Sequence, residues 1–166
     1  MAPRFAVDHD FPEPILRSVQ PFLPLDLELI SRIDKRLVDR LDDWEVILAL
    51  SQIGYEGLVT LDASMLELPR ELAVVHQTNF TLFAIEAAGN NALRATGQLL
   101  LHIRSVATQH DPTQPQLFRV TAPRGIHPNK AWDRLGQLAS GQGVSIQQLF
   151  NAHRLSASEL TRKVLS

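Results

Sequence analysis

Three short apolar runs, each closed by an acid, constrain this chain more than any other feature. They are residues 5–7 (FAV), 57–61 (GLVTL) and 80–85 (FTLFAI), followed by Asp8, Asp62 and Glu86. The third is apolar almost without interruption, as a strand buried on both faces must be. Helix-length stretches lie between the runs. Pro12 suits the first turn of one helix, with Ile15, Leu16 and Val19 as its apolar face and Asp10 near its start. Residues 25–29 (LDLEL) alternate with period two, the mark of a half-buried strand. Residues 31–41 mix both signs of charge and admit either a helical turn or a polar loop. From residue 42 an acid-led amphipathic helix runs to Gly54, with Trp44, Ile47, Leu48 and Ile53 as its apolar face.

Further helices are predicted over residues 65–77, uncomfortable at Pro69, and over residues 92–107 after a turn at 89–91. In the second of these, Leu93, Thr96, Leu99, Leu100, Ile103 and Val106 face inward. Residues 117–120 add a last strand. Strands and helices that alternate in this way build an α/β three-layer sandwich around a mainly parallel sheet.

The chain of 166 residues suits one domain and a small appendage. Charge divides it: residues 1–123 hold 10 Lys and Arg against 16 Asp and Glu, whereas residues 124–166 hold 6 against 2. The acidic part favours a cation site, and the basic tail suits an anionic partner or plain surface. Pro123, Gly125 and Pro128 mark the break. Beyond them the tail reads as a small helical extension of three short helices, the second and third opened by capping-box patterns at Ser145–Gln148 and Ser156–Glu159. The chain has no cysteine, so thiolate metal sites are excluded and a cytoplasmic location is expected. No membrane association is expected, since no segment reaches the apolar length of a span.

Acids at the carboxyl ends of neighbouring parallel strands converge where open α/β sheets bind ligands. Carboxylates from separate strand ends are a usual oxygen ligand set for a hard divalent cation, which activates water and stabilises charge on a phosphodiester. Asp8 and Asp62 are the leading candidates, because an acid directly after a buried strand otherwise needs another partner. Asp43, one residue inside its helix and favoured there by the dipole, is either a third ligand or a solvated acid, and Asp42 with Glu45 is either a capping box alone or part of the cluster. Arg94, on the helix after Glu86, is a candidate for pairing with a phosphate, and the six histidines read as surface or core filler. No Gly-rich phosphate loop, paired helical histidines or nucleophile elbow competes with the acids.

Three blocks, FAVDHDFPEPI, DDWEVILALSQIGYEGLVTLD and FTLFAIEAAGNNALRATGQLLLHI, resemble in that order the blocks of PIN-like ribonuclease domains, including short variants related to VapC-type toxins of toxin–antitoxin pairs. The likeness covers about two thirds of the chain, residues 4–107. Asp8 matches the acid ending the family's first strand, Asp43-Trp44-Glu45-Val46-Ile47 its acid-led central helix, and Thr60-Leu61-Asp62 its T-x-D. The resemblance implies a PIN-like sheet over residues 1–123 and an endoribonuclease dependent on Mg²⁺ or Mn²⁺. It implies Asp8, Asp43 and Asp62 as metal ligands, and Glu45 beside them in catalysis. RNA is then the partner, with an antitoxin protein and a second copy in a homodimer as further expectations. Ala63-Ser64-Met65 depart from the family's pattern after T-x-D, and its fourth acid has only Glu67 and Glu86 as loose counterparts. Two rivals stand beside this reading: a non-catalytic PIN-like interaction module, and a receiver-like signalling domain with Asp62 as phosphoacceptor. The receiver reading lacks paired acids after the first strand, a hydroxyl after the Phe80–Ile85 run and a later Lys.

Overall fold

Every strand is followed by helix, so no two consecutive strands can pair as a hairpin, and the sheet is parallel throughout. Its members are β1 (Arg4–Val7), β2 (Asp26–Leu29), β3 (Gly57–Thr60), β4 (Thr81–Ile85) and β5 (Gln116–Val120), in spatial order β2-β1-β3-β4-β5. The register sets Val7 beside both Leu29 and Val59. The computed structural model describes residues 1–9, 11–86, 91–121 and 130–161. Asp10, the Gly89-Asn90 part of the expected turn, and the Pro123, Gly125 and Pro128 separator lie outside them.

Side-chain alternation along the strands sorts the core into two layers. Phe5, Val7, Val59, Phe83 and Ile85 join Leu16 of α1 (Glu13–Val19) and Ala95, Leu99, Ile103 and Val106 of α6 (Ala92–Gln109). Ala6, Leu58 and Leu82 point the other way. They meet Ile30 of α2 (Ile30–Ile33), Leu37 of α3 (Arg36–Asp39), Val46, Ile47 and Leu50 of α4 (Asp43–Gln52), and Val75 of α5 (Pro69–Thr78). Helices therefore cover both faces of the sheet, as the alternation requires. Residues 31–41 resolve into the two single-turn helices and their link.

Three local expectations are corrected. The helix expected over residues 65–77 is two elements, a 3₁₀ turn (Ala63–Leu66) and then α5. Pro69 opens α5, where its missing N–H costs nothing. On α4 the buried residues follow the spacing 46, 47, 50, leaving Trp44 and Leu48 half-buried and Ile53 exposed. That spacing extends back to Asp43, which is thus carried on the side of α4 that meets the sheet. On α6, Leu93 and Leu100 face outward and the smaller Ala95 takes the contact with the sheet.

Close packing fixes Gly57. An ideal Cβ there would stand 2.6 Å from the Phe5 ring, so only glycine fits. At this amino-terminal end of the sheet His110 bonds Glu56 Oε2 at 2.7 Å and Thr81 Oγ1 at 3.2 Å, with its ring edge-on to Phe5. Beside it, Arg4 donates to the Tyr55 hydroxyl at 2.9 Å, and that hydroxyl donates to the Glu28 carboxylate. At the edge of the sheet the Gln20 amide lies against β2. Its Nε2 donates to the Leu25 carbonyl at 3.0 Å, and its Oε1 accepts from the Leu27 N–H at 3.1 Å.

The chain divides into two compact units, Met1–Pro123 and Arg124–Ser166. The second contains α7 (Ala131–Gln142), α8 (Ile146–His153) and α9 (Ala157–Thr161). Gly143, at φ 69°, ends α7, and Ser145 with Gln148 forms the capping box of α8. Trp132 packs edge-on against Phe150, and Leu149 is buried. Among the described residues no helix is long and apolar enough to cross a membrane.

Candidate functional site

The strand order reverses between β1 and β3, and the carboxyl end of such a switch point is where doubly wound sheets bind their ligands. Asp8 stands there. Its N–H donates to the Val59 carbonyl at 2.9 Å, which extends the ladder by one residue and fixes where its side chain emerges. Two residues beyond Val59, the Leu61 link turns the chain into the 3₁₀ turn, and Asp62 caps that turn by accepting from Ser64 N–H at 2.9 Å.

Thr60 ties the two acids together. Its hydroxyl donates to Asp8 Oδ2 at 3.3 Å and accepts the Asp62 N–H at 3.0 Å, and the residue is almost wholly buried. The other Asp8 oxygen accepts from the His9 N–H at 2.7 Å, with His9 Nδ1 also at 2.7 Å. Asp43 arrives from the first turn of α4. Asp8, His9, Asp43, Thr60 and Asp62 form the polar wall of one cleft of about 250 Å³, faced by Val46, Leu58 and Met65.

The charges in this cleft act on one another. Burial pushes the Asp43 carboxyl up from its ordinary value, and the negative charges of Asp62, Glu71, Asp8 and Asp42 push it further the same way. Glu71, buried in the first turn of α5, thereby joins the electrostatics of the site.

Of the residues singled out from the sequence, Asp8, Asp43 and Asp62 are brought together. Glu45 is not among the residues lining the cleft; its carboxylate accepts the Asp42 N–H at 2.8 Å and completes the capping box. Arg94 lies exposed on α6, its backbone N–H bonded to Asn91, and is likewise absent from the lining. Glu86 and Glu67 share Arg119, Glu86 through two hydrogen bonds and Glu67 at 3.4 Å.

Sequence reasoning passed over the roles of Thr60, His9 and Glu71. Period two in a strand does set Thr60 on the same side as Asp62, a usable signal. Glu71 had the weaker signal of an acid in the first turn of a helix that starts at the carboxyl end of the sheet.

No family model, curated protein or solved structure matches the chain. What the cleft can do chemically follows from its own donors. Carboxylate oxygens suit a hard divalent cation, and the crowding felt by Asp43 is the electrostatic strain that such a cation relieves. As placed, no three Asp, Glu or His side chains among the described residues form a ready ligand cage. The donor types fit the ion; side-chain rotation, water and substrate oxygens would complete its shell.

Proposed function

We propose that this chain is a PIN-like, Mg²⁺- or Mn²⁺-dependent endoribonuclease that hydrolyses phosphodiester bonds of RNA, acting as the toxin of a toxin–antitoxin pair. One observation carries the reading: Asp8, Asp43 and Asp62, from three separate segments, line a single cleft at the switch point of a parallel sheet. Asp8, Asp43 and Asp62 would hold the ion, and when bound it polarises the phosphoryl oxygen and lowers the pKa of water. Thr60 holds Asp8 and the backbone of Asp62 in fixed relation, so that both carboxylates would face the same ion. His9 restrains the second oxygen of Asp8. The apolar wall of Val46, Leu58 and Met65 lowers the local dielectric and strengthens each charge interaction in the cleft.

Asp8→Ala and Asp62→Ala should each abolish Mn²⁺-dependent cleavage of a pooled RNA. Asp42→Ala, a change at the helix cap, should cost about 1 kcal/mol of stability and leave most of the activity. Cleavage that survives both cleft substitutions, or that persists in excess chelator, removes the nuclease reading. The non-catalytic interaction module then takes its place.

The strand order favours a second reading, since receiver-like domains share it and place a phosphoacceptor acid after β3. Against it, β4 is followed by Glu86, which is bound to Arg119, and Thr121 follows β5 where a receiver needs Lys. Phosphorylation of Asp62 by a small acyl phosphate, with no RNA cleavage, would establish that reading.

A further inference from the structure

Two cavities draw on the first turn of α4, and the acids line only the smaller. The acid cleft, of about 250 Å³, offers a nucleobase carboxylates and aliphatic side chains but no Trp, Tyr or Phe plane to stack on. The neighbouring cavity, of about 560 Å³, lies between α4 and α5 and is lined by Trp44, Pro69, Arg70, Ala73, Val74 and Gln77. Trp44 is the residue next to Asp43. Arg70 is the residue next to Glu71, whose charge reaches Asp43. Trp44 and Arg70 thus sit in the first turns of α4 and α5, each beside an acid.

The chemistry of this second cavity is unlike the first. The Trp44 ring is half-buried, and the Arg70 guanidinium carbon stands 5.3 Å from its centroid. Arg70 is exposed and makes no ion pair among the described residues, so its charge is available to an anion. Leu68 gives α5 no side-chain cap, which leaves first-turn N–H groups facing the same end. An aromatic ring with a guanidinium set against it, in an open cavity that begins one residue from Asp43, suits one occupant: an unstacked nucleotide with its phosphate.

Resting on the nuclease reading, we propose that Trp44 and Arg70 form a base-stacking subsite that positions the nucleotide adjoining the scissile phosphate of single-stranded RNA. The base takes the place of the Arg70 guanidinium on the indole, and the displaced guanidinium meets the phosphate between that nucleotide and the cleft. The subsite selects unstacked RNA, because a base inside a duplex cannot leave its neighbours without cost.

The test uses the full chain carrying Trp132→Phe, which leaves Trp44 as its one tryptophan. Titration in chelator with a short single-stranded RNA of mixed sequence should quench Trp44 fluorescence saturably, and the matched duplex should not. Arg70→Ala should weaken that titration about tenfold. In Mn²⁺, Trp44→Ala should raise KM about tenfold or more with kcat held within about threefold, and Trp44→Phe should restore most of the loss. Cleavage by a protein whose Trp44 is never quenched, or whose KM ignores Trp44→Ala, overturns the subsite and leaves the nuclease standing. Quenching and its loss in Arg70→Ala, without cleavage in either metal, support the subsite and overturn the nuclease.

Discussion

At the scale of single residues, Thr60 sets the terms for the cleft. It is a buried hydroxyl whose two hydrogen bonds run to the acid of one strand and the backbone beside the acid of the next. Thr60→Val keeps the shape and deletes the hydroxyl, at a cost of about 1 kcal/mol. The same substitution should blunt the rise in melting temperature that Mg²⁺ or Mn²⁺ brings by binding only the folded state. Asp62→Asn should remove most of that rise, and an undiminished response in the asparagine variant would move the metal site elsewhere. Tyr55 gives a separate, alkaline signature. Burial first, then its hydrogen bond to the Glu28 carboxylate and that group's charge, raise the phenol from 10.0 to about 12. A phenol raised in the folded state holds its proton more tightly there than in the unfolded chain. Its contribution is whole below pH 10 and is lost as the pH climbs towards 12. Tyr55→Phe should therefore flatten the fall of stability across that window, measured by denaturant unfolding. Asp8 and Asp62 were legible because each closes an apolar run, and Asp43 because it opens an amphipathic helix; Thr60 and His9 were not, because a hydroxyl and an imidazole in a short motif do not announce which carboxylate they will meet.

Elements were legible in proportion to how apolar they are. β4, buried along its whole length, and β3 could hardly be read otherwise. The faces of α4 and α6 could be misread because each helix carries more apolar residues than one stripe needs. On α4 the choice falls to 46, 47 and 50 because the helix packs on the sheet through that side, and Ile53 is left in solvent. Such choices belong to tertiary packing and leave no mark in local periodicity. The pairing of β1 with β3 makes a sharper claim. Gly57→Ala drives a methyl into the Phe5 ring, and the ring also carries the edge-on contact with His110. Overpacking of this kind should cost about 1–3 kcal/mol, seen as a lower midpoint in urea at an unchanged slope. Gly54→Ala, at a helix end with φ of 87° and open space around it, should instead show strain of the backbone alone.

For the whole molecule, both core layers are built from residues 5–120. The fragment 1–123 should accordingly keep its α/β circular dichroism and melt in one cooperative transition, and a broad or absent transition would show that the sheet needs residues 124–166. The unit of residues 124–166 is too small to bury much surface by itself, so in isolation it should lose most of its helical signal. A parallel sheet of five strands also has two open rims, at β2 and at β5. At β2 the rim is occupied by a side chain: the Gln20 amide, one donor and one acceptor, fills the places that a neighbouring backbone would take at Leu25 and Leu27. In a crowded cell that single amide acts as a stopper against extension through the β2 rim, because a copy reaching it finds the Leu25 carbonyl and the Leu27 N–H already taken.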